Sequence, residues 1–115
     1  MKILLDENVP NQLRDTLEPR DVSSVNDRVI GWKNISNGRL LAEMEGRFDL
    51  LITSDRNIYA QQNLRGRSIA NLVLPTNRRN DVLKLVPRIA AAIDAILPGQ
   101  YALLEKDGTF HVTSF

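Results

Sequence analysis

The chain has 115 residues, enough for one compact domain and too few for two. It contains no Cys, which excludes disulfides and a cysteine-based zinc site, and it has no apolar run near the ~20 residues of a membrane span. Fifteen basic residues nearly balance fourteen acidic ones, so the net charge of +1 gives no overall attraction to nucleic acid, and any such binding must come from a local patch.

The first predicted strand is a short apolar run at residues 3–5. Neither side of this run is polar, as in a strand that is buried on both faces. It ends abruptly at Asp6, Glu7 and Asn8, and Pro10 then suits the first turn of a helix that we expect over residues 9–17. An acidic pair therefore follows a buried parallel strand, where open α/β sheets bind ligands. The alternative is that Asp6 or Asn8 is only a helix N-cap.

The middle of the chain predicts a strand at residues 22–25, a polar loop at 26–36 and then a helix. Ser36 or Asn37 can cap this helix, and Gly46 fits its end. Residues 48–53 are the second strongly apolar strand, which also runs into polar residues. The residues at and after its end are Thr53, Ser54, Asp55, Arg56 and Asn57.

The last part of the chain predicts a short helix at residues 57–64 and a strand at 69–74. Asn77 can cap a long helix that reaches residue 97, with a kink or restart at Pro87. Residues 101–105 and 109–113 flank a turn at Gly108 and predict a C-terminal β-hairpin. Because strands alternate with helices, we expect one α/β domain over residues 1–115, with a parallel-stranded central sheet flanked by helices.

Two predicted strands end in acid, at Asp6 with Glu7 and at Asp55. In a parallel sheet both strand ends point to one edge, so Asp6 and Asp55 converge if the strands are neighbours. Clustered carboxylates repel one another, and such a cluster normally holds a cation. Oxygen ligands select Mg²⁺ or Mn²⁺, ions that stabilise phosphodiester oxygens and activate water. The alternative for Asp55 is that it caps the short helix that follows.

The opening sequence MKILLDEN and the later ITSDRNI resemble the small PIN-like proteins of the DUF5615 type. These in turn are similar to the toxin halves of bacterial toxin–antitoxin pairs. The resemblance covers nearly the whole chain and implies a PIN-like fold, a metal-dependent endoribonuclease and a small antitoxin partner. Asp6 matches the first acid of the family, and Asp55 matches the acid after its third strand.

Some positions depart from the family pattern. Asn37 and Gly38 stand where the family often has acids at the start of the middle helix, and Asn57 stands where it often has a second Asp. Each change removes a negative charge from the expected cation site. Glu7, or less readily Glu43, remains to complete the shell or orient the water.

In the nuclease interpretation, Asp6 and Asp55 hold the ion, while side chains around them contact ligand waters or the RNA. Asn8 and Asn57 are candidates for the waters, and Thr53 or Ser54 for a phosphate. Further candidates for phosphate contact are Arg78 and Arg79, since they begin the long helix, where its dipole disfavours positive charge. The alternative for these two arginines is a solvated surface pair.

A second hypothesis is a catalytically inactive PIN-like module that works through protein contacts. The missing acids favour it, whereas the retained Asp6 and Asp55 favour the nuclease. Apolar residues outside the helical stripes, Trp32 and Tyr59 among them, are expected to form an exposed patch for an antitoxin or a second copy of the chain. Because the amino end does not resemble a signal peptide, we expect a soluble cytoplasmic protein.

Overall fold

A six-stranded sheet organises the protein, as seen in a computed structural model that describes residues 1–57 and 67–114. The strands are β1 Lys2–Leu5, β2 Asp21–Ser24, β3 Leu50–Thr53, β4 Ala70–Val73, β5 Gln100–Leu104 and β6 Phe110–Ser114. Their order across the sheet is β2-β1-β3-β4-β5-β6. Strands β1 to β5 are parallel, and β6 returns antiparallel beside β5. The predicted α/β class and the C-terminal hairpin at a sheet edge are both confirmed.

The central strands are buried on both faces, which is why their sequences are continuous apolar runs. Every residue of β3 and β4 is buried, as are the last three residues of β1. Alternate side chains enter two separate cores. Ile3 and Leu5 belong to one core cluster, and Leu4 between them belongs to the other.

Four helices cover the two faces of the sheet within the described ranges. They are α1 Leu13–Thr16, α2 Asn37–Met44, α3 Arg79–Lys84 and α4 Val86–Ala95. Helices α1, α3 and α4 pack Leu13, Val82 and Ile89 into the first core. Helix α2 fills the second core alone among these helices, through an apolar stripe of Leu40, Leu41 and Met44.

The first helix is shorter than the sequence predicts. Residues 6–12 form a series of turns, in which the N–H of Val9 bonds the carbonyl of Asp6 and the N–H of Leu13 bonds that of Pro10. Gln12 is the N-cap of α1 and makes no side-chain cap bond. The expectation that Asp6 or Asn8 caps this helix is therefore wrong, because both side chains bond residues after β3 or at its end.

The long C-terminal helix restarts at Pro87, as predicted. Pro87 lies in the first turn of α4, where its missing N–H costs no helical hydrogen bond. The predicted cap at Asn77 is wrong. Arg78 is the N-cap of α3 and makes no side-chain cap bond, and its N–H bonds the hydroxyl of Thr76. The helix also ends at Ala95, two residues early, because Ile96 is extended.

Most of the helix predicted over residues 57–64, and Tyr59 with it, lies outside the described residues. Where the structure describes helices, none has the length and apolar character needed to cross a membrane.

Candidate functional site

The register of β1 and β3 brings the two acidic strand ends together. Leu5 lies beside Ile52, and the N–H of Asp6 continues the ladder by bonding the Ile52 carbonyl at 2.9 Å. Asp6 therefore comes level with Thr53, two residues before Asp55. The prediction that both carboxylates lie at the carboxyl edge of one parallel sheet is confirmed.

The hydroxyl of Thr53 links the two acids directly. It donates to Oδ2 of Asp6 at 2.7 Å and accepts the N–H of Asp55 at 3.1 Å. Thr53 is fully buried, so its side chain has no surface to offer a phosphate. The structure gives Thr53 a positioning role instead of the substrate contact that the sequence suggested.

Asp6 is a recessed carboxylate, only 7% exposed. Its Oδ1 accepts the N–H of Glu7 at 2.9 Å, and its Oδ2 accepts the Thr53 hydroxyl. A carboxylate oxygen has two lone-pair sites, so each oxygen retains one for a further ligand. Asp6 thus combines a fixed orientation with unused acceptor capacity.

Asp55 is fixed by a different element, the start of α2. Its Oδ2 accepts from Nδ2 of Asn37 at 3.2 Å, and its Oδ1 accepts the N–H of Asn57 at 3.0 Å. Asn37 is the first residue of α2, at the position where the family pattern predicts an acid. The sequence offered Asn37 as a possible helix cap and as a lost charge, and gave no sign of this amide–carboxylate contact; the N-cap is Ser36.

A second bridge joins the loops that follow β1 and β3. The N–H of Ser54 donates to Oδ1 of Asn8 at 3.2 Å. On the other side, Nδ2 of Asn26 donates to the carbonyl of Glu7 at 3.2 Å. Asn26 was not a sequence candidate, and only its place in the polar loop after β2 pointed to it. Asn8 and Asn26 therefore support the backbone that presents Asp6 and Glu7.

The two glutamates proposed to complete the site form no hydrogen bond with Asp6 or Asp55 through their side chains in the described part of the chain. The Glu7 side chain is exposed, and its carboxylate bonds no residue that the structure describes. Glu43 lies 3.9 Å from Arg39 as an ion pair and six residues after the start of α2, roughly 9 Å along the helix axis. The Glu7 side chain is thus adjacent to Asp6 and held by no described contact, whereas the Glu43 carboxylate pairs with Arg39.

The donor chemistry of the site fits a small, hard cation. Within residues 1–57 and 67–114, no group of three His, Cys, Asp or Glu side chains is placed to hold a metal ion. Mg²⁺, however, is usually held through one or two carboxylates and keeps several of its waters. Asp6 and Asp55 are the two carboxylates at this edge that would hold such an ion.

Arg78 and Arg79 lie beyond the end of β4, at the same edge of the sheet. Both are exposed and line a groove of about 560 Å³ that also includes Gln12, from the loop after β1. Neither guanidinium forms an ion pair within the described ranges. The structure therefore leaves both arginines accessible to an anion.

Comparisons of the chain with protein-family models, curated proteins and solved structures found no match. The PIN-like assignment therefore stays a prediction from the sequence motifs, and function has to be argued from the geometry around Asp6 and Asp55.

Proposed function

We propose that the protein is a PIN-like, metal-dependent endoribonuclease that holds Mg²⁺ or Mn²⁺ between Asp6 and Asp55. The observation that carries this proposal is the Thr53 hydroxyl, which ties the recessed Asp6 carboxylate to the backbone of Asp55 at the ligand-binding edge of the sheet. Two carboxylates held together repel each other, and a bound cation offsets that cost.

Each residue of the site has a separate role in this proposal. An ion held by Asp6 and Asp55 would supply charge stabilisation for a phosphodiester and lower the pKa of a bound water. Glu7, exposed beside Asp6, would orient the attacking water and accept its proton. The half-buried Ser54 and the exposed Asn57 remain the candidates for contacts to the phosphate and its waters. Such an enzyme would act on cytoplasmic RNA and be restrained by a small antitoxin protein.

A second candidate function is a non-catalytic module that binds proteins. The observation that favours it is the Asn37 amide, which occupies one acceptor site of Asp55 and stands where a third acid would raise affinity for a cation. A site with only two charges can hold its fold without ever binding a metal. Metal binding therefore separates the two candidates.

Thermal unfolding with and without Mn²⁺ tests the proposal. With two carboxylates we expect a dissociation constant of about 1 mM, on the order of −4 kcal/mol. About 10 mM Mn²⁺ should then stabilise the fold by about 1.4 kcal/mol, a rise of several degrees in Tm. Ca²⁺ should raise Tm less, because it prefers more ligands.

Asp6→Asn should abolish the Mn²⁺ shift and the cleavage of single-stranded RNA. The matched control is Asp49→Asn, which alters an exposed carboxylate that accepts the Lys2 N–H at the opposite edge of the sheet. This control should retain both the shift and the cleavage. A wild-type protein that neither responds to Mn²⁺ nor cleaves RNA would instead support the non-catalytic module.

A further inference from the structure

Two adjoining grooves at the carboxyl edge are lined mainly by polar and basic side chains. They measure about 560 and 230 Å³ and share Asp81. We call the four cations that line them the basic strip: Arg78, Arg79, Lys84 and Lys106. With Asp81 included, the groove walls carry three net positive charges, although the whole chain carries only +1.

The cations of the basic strip have no acidic partner among the described residues, unlike several arginines elsewhere in the protein. Five other arginines pair with carboxylates, namely Arg14, Arg20, Arg39, Arg56 and Arg67. No member of the basic strip makes such a pair in the described parts of the chain. Four cations without an acidic partner therefore line two adjoining grooves, and their combined field favours a polyanion.

Helix stability accounts for only one of these cations, Lys84, which lies in the last turn of α3, where the helix dipole favours positive charge. All four side chains are exposed, and Arg78 and Arg79 stand at the amino end of α3, where the helix dipole disfavours positive charge. Among the described residues that line the grooves none is aromatic, so these residues offer no ring on which a base could stack. Their chemistry suits phosphates, read by charge and not by sequence.

The position of the basic strip relates it to the two acids. Gln12 belongs to the loop after β1, Arg78 follows β4, and Lys106 lies in the turn after β5. Because β1 to β5 are parallel, these loops share the edge that carries Asp6 and Asp55. Three strand spacings separate β1 from β5, roughly 14 Å, a length that several nucleotides of an extended chain can cover.

We propose that a single-stranded phosphodiester chain lies along the basic strip and reaches the Asp6–Asp55 site from it. A single strand is required because Asp6 is almost fully recessed, and a stiff duplex cannot bend one phosphate into that position. The cleavage step rests on the proposed ribonuclease function, whereas binding along the strip does not.

Fluorescence anisotropy with a short labelled single-stranded RNA, in EDTA, tests binding apart from cleavage. Neutralising two phosphate contacts with Arg78→Gln/Arg79→Gln should weaken binding on the order of tenfold per contact at about 50 mM salt. The slope of log affinity against log salt should fall by about 1.4, since each contact to a single strand contributes about 0.7. Lys84→Gln/Lys106→Gln should reduce affinity and slope in the same direction.

The matched control is Arg28→Gln/Lys33→Gln. This pair is also exposed and without ion pairs, but it lies in the loop after β2 and lines neither groove. The control should bind RNA like wild type. An equal loss of affinity in the control, or tighter binding of a duplex than of a single strand, would overturn the proposal.

Two further binding measurements separate the binding proposal from the ribonuclease proposal. Single-stranded DNA of the same sequence shows whether the strip recognises phosphates alone or also the ribose, and binding of either polymer supports the strip. Asp6→Asn should retain RNA binding in EDTA. A protein that binds through Arg78 and Arg79 but cleaves nothing with Mn²⁺ would refute the ribonuclease and leave the binding surface in place.

Discussion

The two edges of the sheet differ in chemistry. At the carboxyl edge, Asp6, Thr53 and Asp55 form a hydrogen-bonded network beside the basic strip. At the amino edge, two grooves that share Asp21 are lined by a mixture of apolar and charged side chains. They include the large apolar residues that are exposed in the described ranges, which are Met1, Val29 and Leu97.

Charges at the amino edge are largely neutralised within the protein. Arg20 pairs with Asp94, and Arg67 pairs with Glu45. Arg47 lies over the Trp32 ring, 5.7 Å from its centroid, and Trp32 packs edge-on against Phe48. Trp32 is therefore half-buried in a small cluster and contributes only part of its surface to the apolar patch predicted from the sequence.

The difference shows how a parallel sheet gives its two edges different chemistry. Strands β1 to β5 all point to one edge, so polar residues after β1 and β3 meet even though they are distant in sequence. The carboxyl edge carries the unpaired cations of the basic strip as well as the Arg14–Asp27 ion pair, whereas the amino edge exposes large apolar side chains beside its own ion pairs.

Thr53→Val should lower the free energy of unfolding by about 3 kcal/mol, measured by urea denaturation. The substitution removes the donor to the buried Asp6 oxygen and the acceptor of the Asp55 N–H, and leaving buried or charged groups unpaired costs about 1–3 kcal/mol each. Thr53→Ser keeps the hydroxyl and should cost only about 1 kcal/mol for the lost methyl. A Val variant as stable as the Ser variant would contradict the network.

Asp27→Asn should lower the free energy of unfolding by about 1.5 kcal/mol near neutral pH. Asp27 follows β2 at the carboxyl edge, where it accepts two bonds from Arg14 at 2.8 Å and one from the N–H of Ser24. Partial burial works to raise the pKa of Asp27, but the bonds from Arg14 and Ser24 and the charge of Arg14 lower it below its ordinary 3.8.

The pH dependence follows from that lowered pKa. The contribution of Asp27 is complete well above pH 3.8 and is lost as the pH falls from there through the lower pKa of the folded state. The difference in free energy of unfolding between wild type and Asp27→Asn should therefore shrink at acid pH, as measured by urea titrations. If that difference stays constant down to acid pH, the Arg14–Asp27 ion pair is not its cause.

Glu45→Gln provides the amino-edge counterpart, with an expected loss of about 0.5 kcal/mol for an exposed pair. Bonds from the hydroxyl and N–H of Ser68 lower the pKa of Glu45 below 4.5, so its contribution also disappears as the pH falls below that value. A larger loss for Glu45→Gln than for Asp27→Asn would reverse the proposed ranking of the two edges.

Val29→Ser should change the free energy of unfolding by less than about 0.5 kcal/mol, because Val29 is 98% exposed. Thermal unfolding of the purified protein measures the change. Leu104→Ser, in the fully buried part of β5, is the matched control and should destabilise the fold severely. A loss above 1 kcal/mol at Val29 would indicate that the amino edge is covered in solution.

Local features of this protein could be predicted from its residues alone. Continuous apolar runs predicted the central strands, Pro87 predicted the helix restart, and Gly46, with a φ of 81°, predicted the end of α2. These features depend on residues a few positions apart, whose backbone preferences act before any long-range contact forms. Polar residues after two apolar strands also predicted a shared edge, since parallel strands leave no other arrangement.

The contacts of the polar residues, in contrast, depend on long-range packing. Thr53 and Asp6 are 47 residues apart, and their bond exists because β1 and β3 are neighbours in a register that no local pattern encodes. The same long-range packing drew Asn8 toward Ser54 instead of α1 and placed Asn37 on Asp55. It also left Arg78 and Arg79 without an acidic partner in the described ranges, because ion pairing depends on distances between elements and not on spacing along the chain.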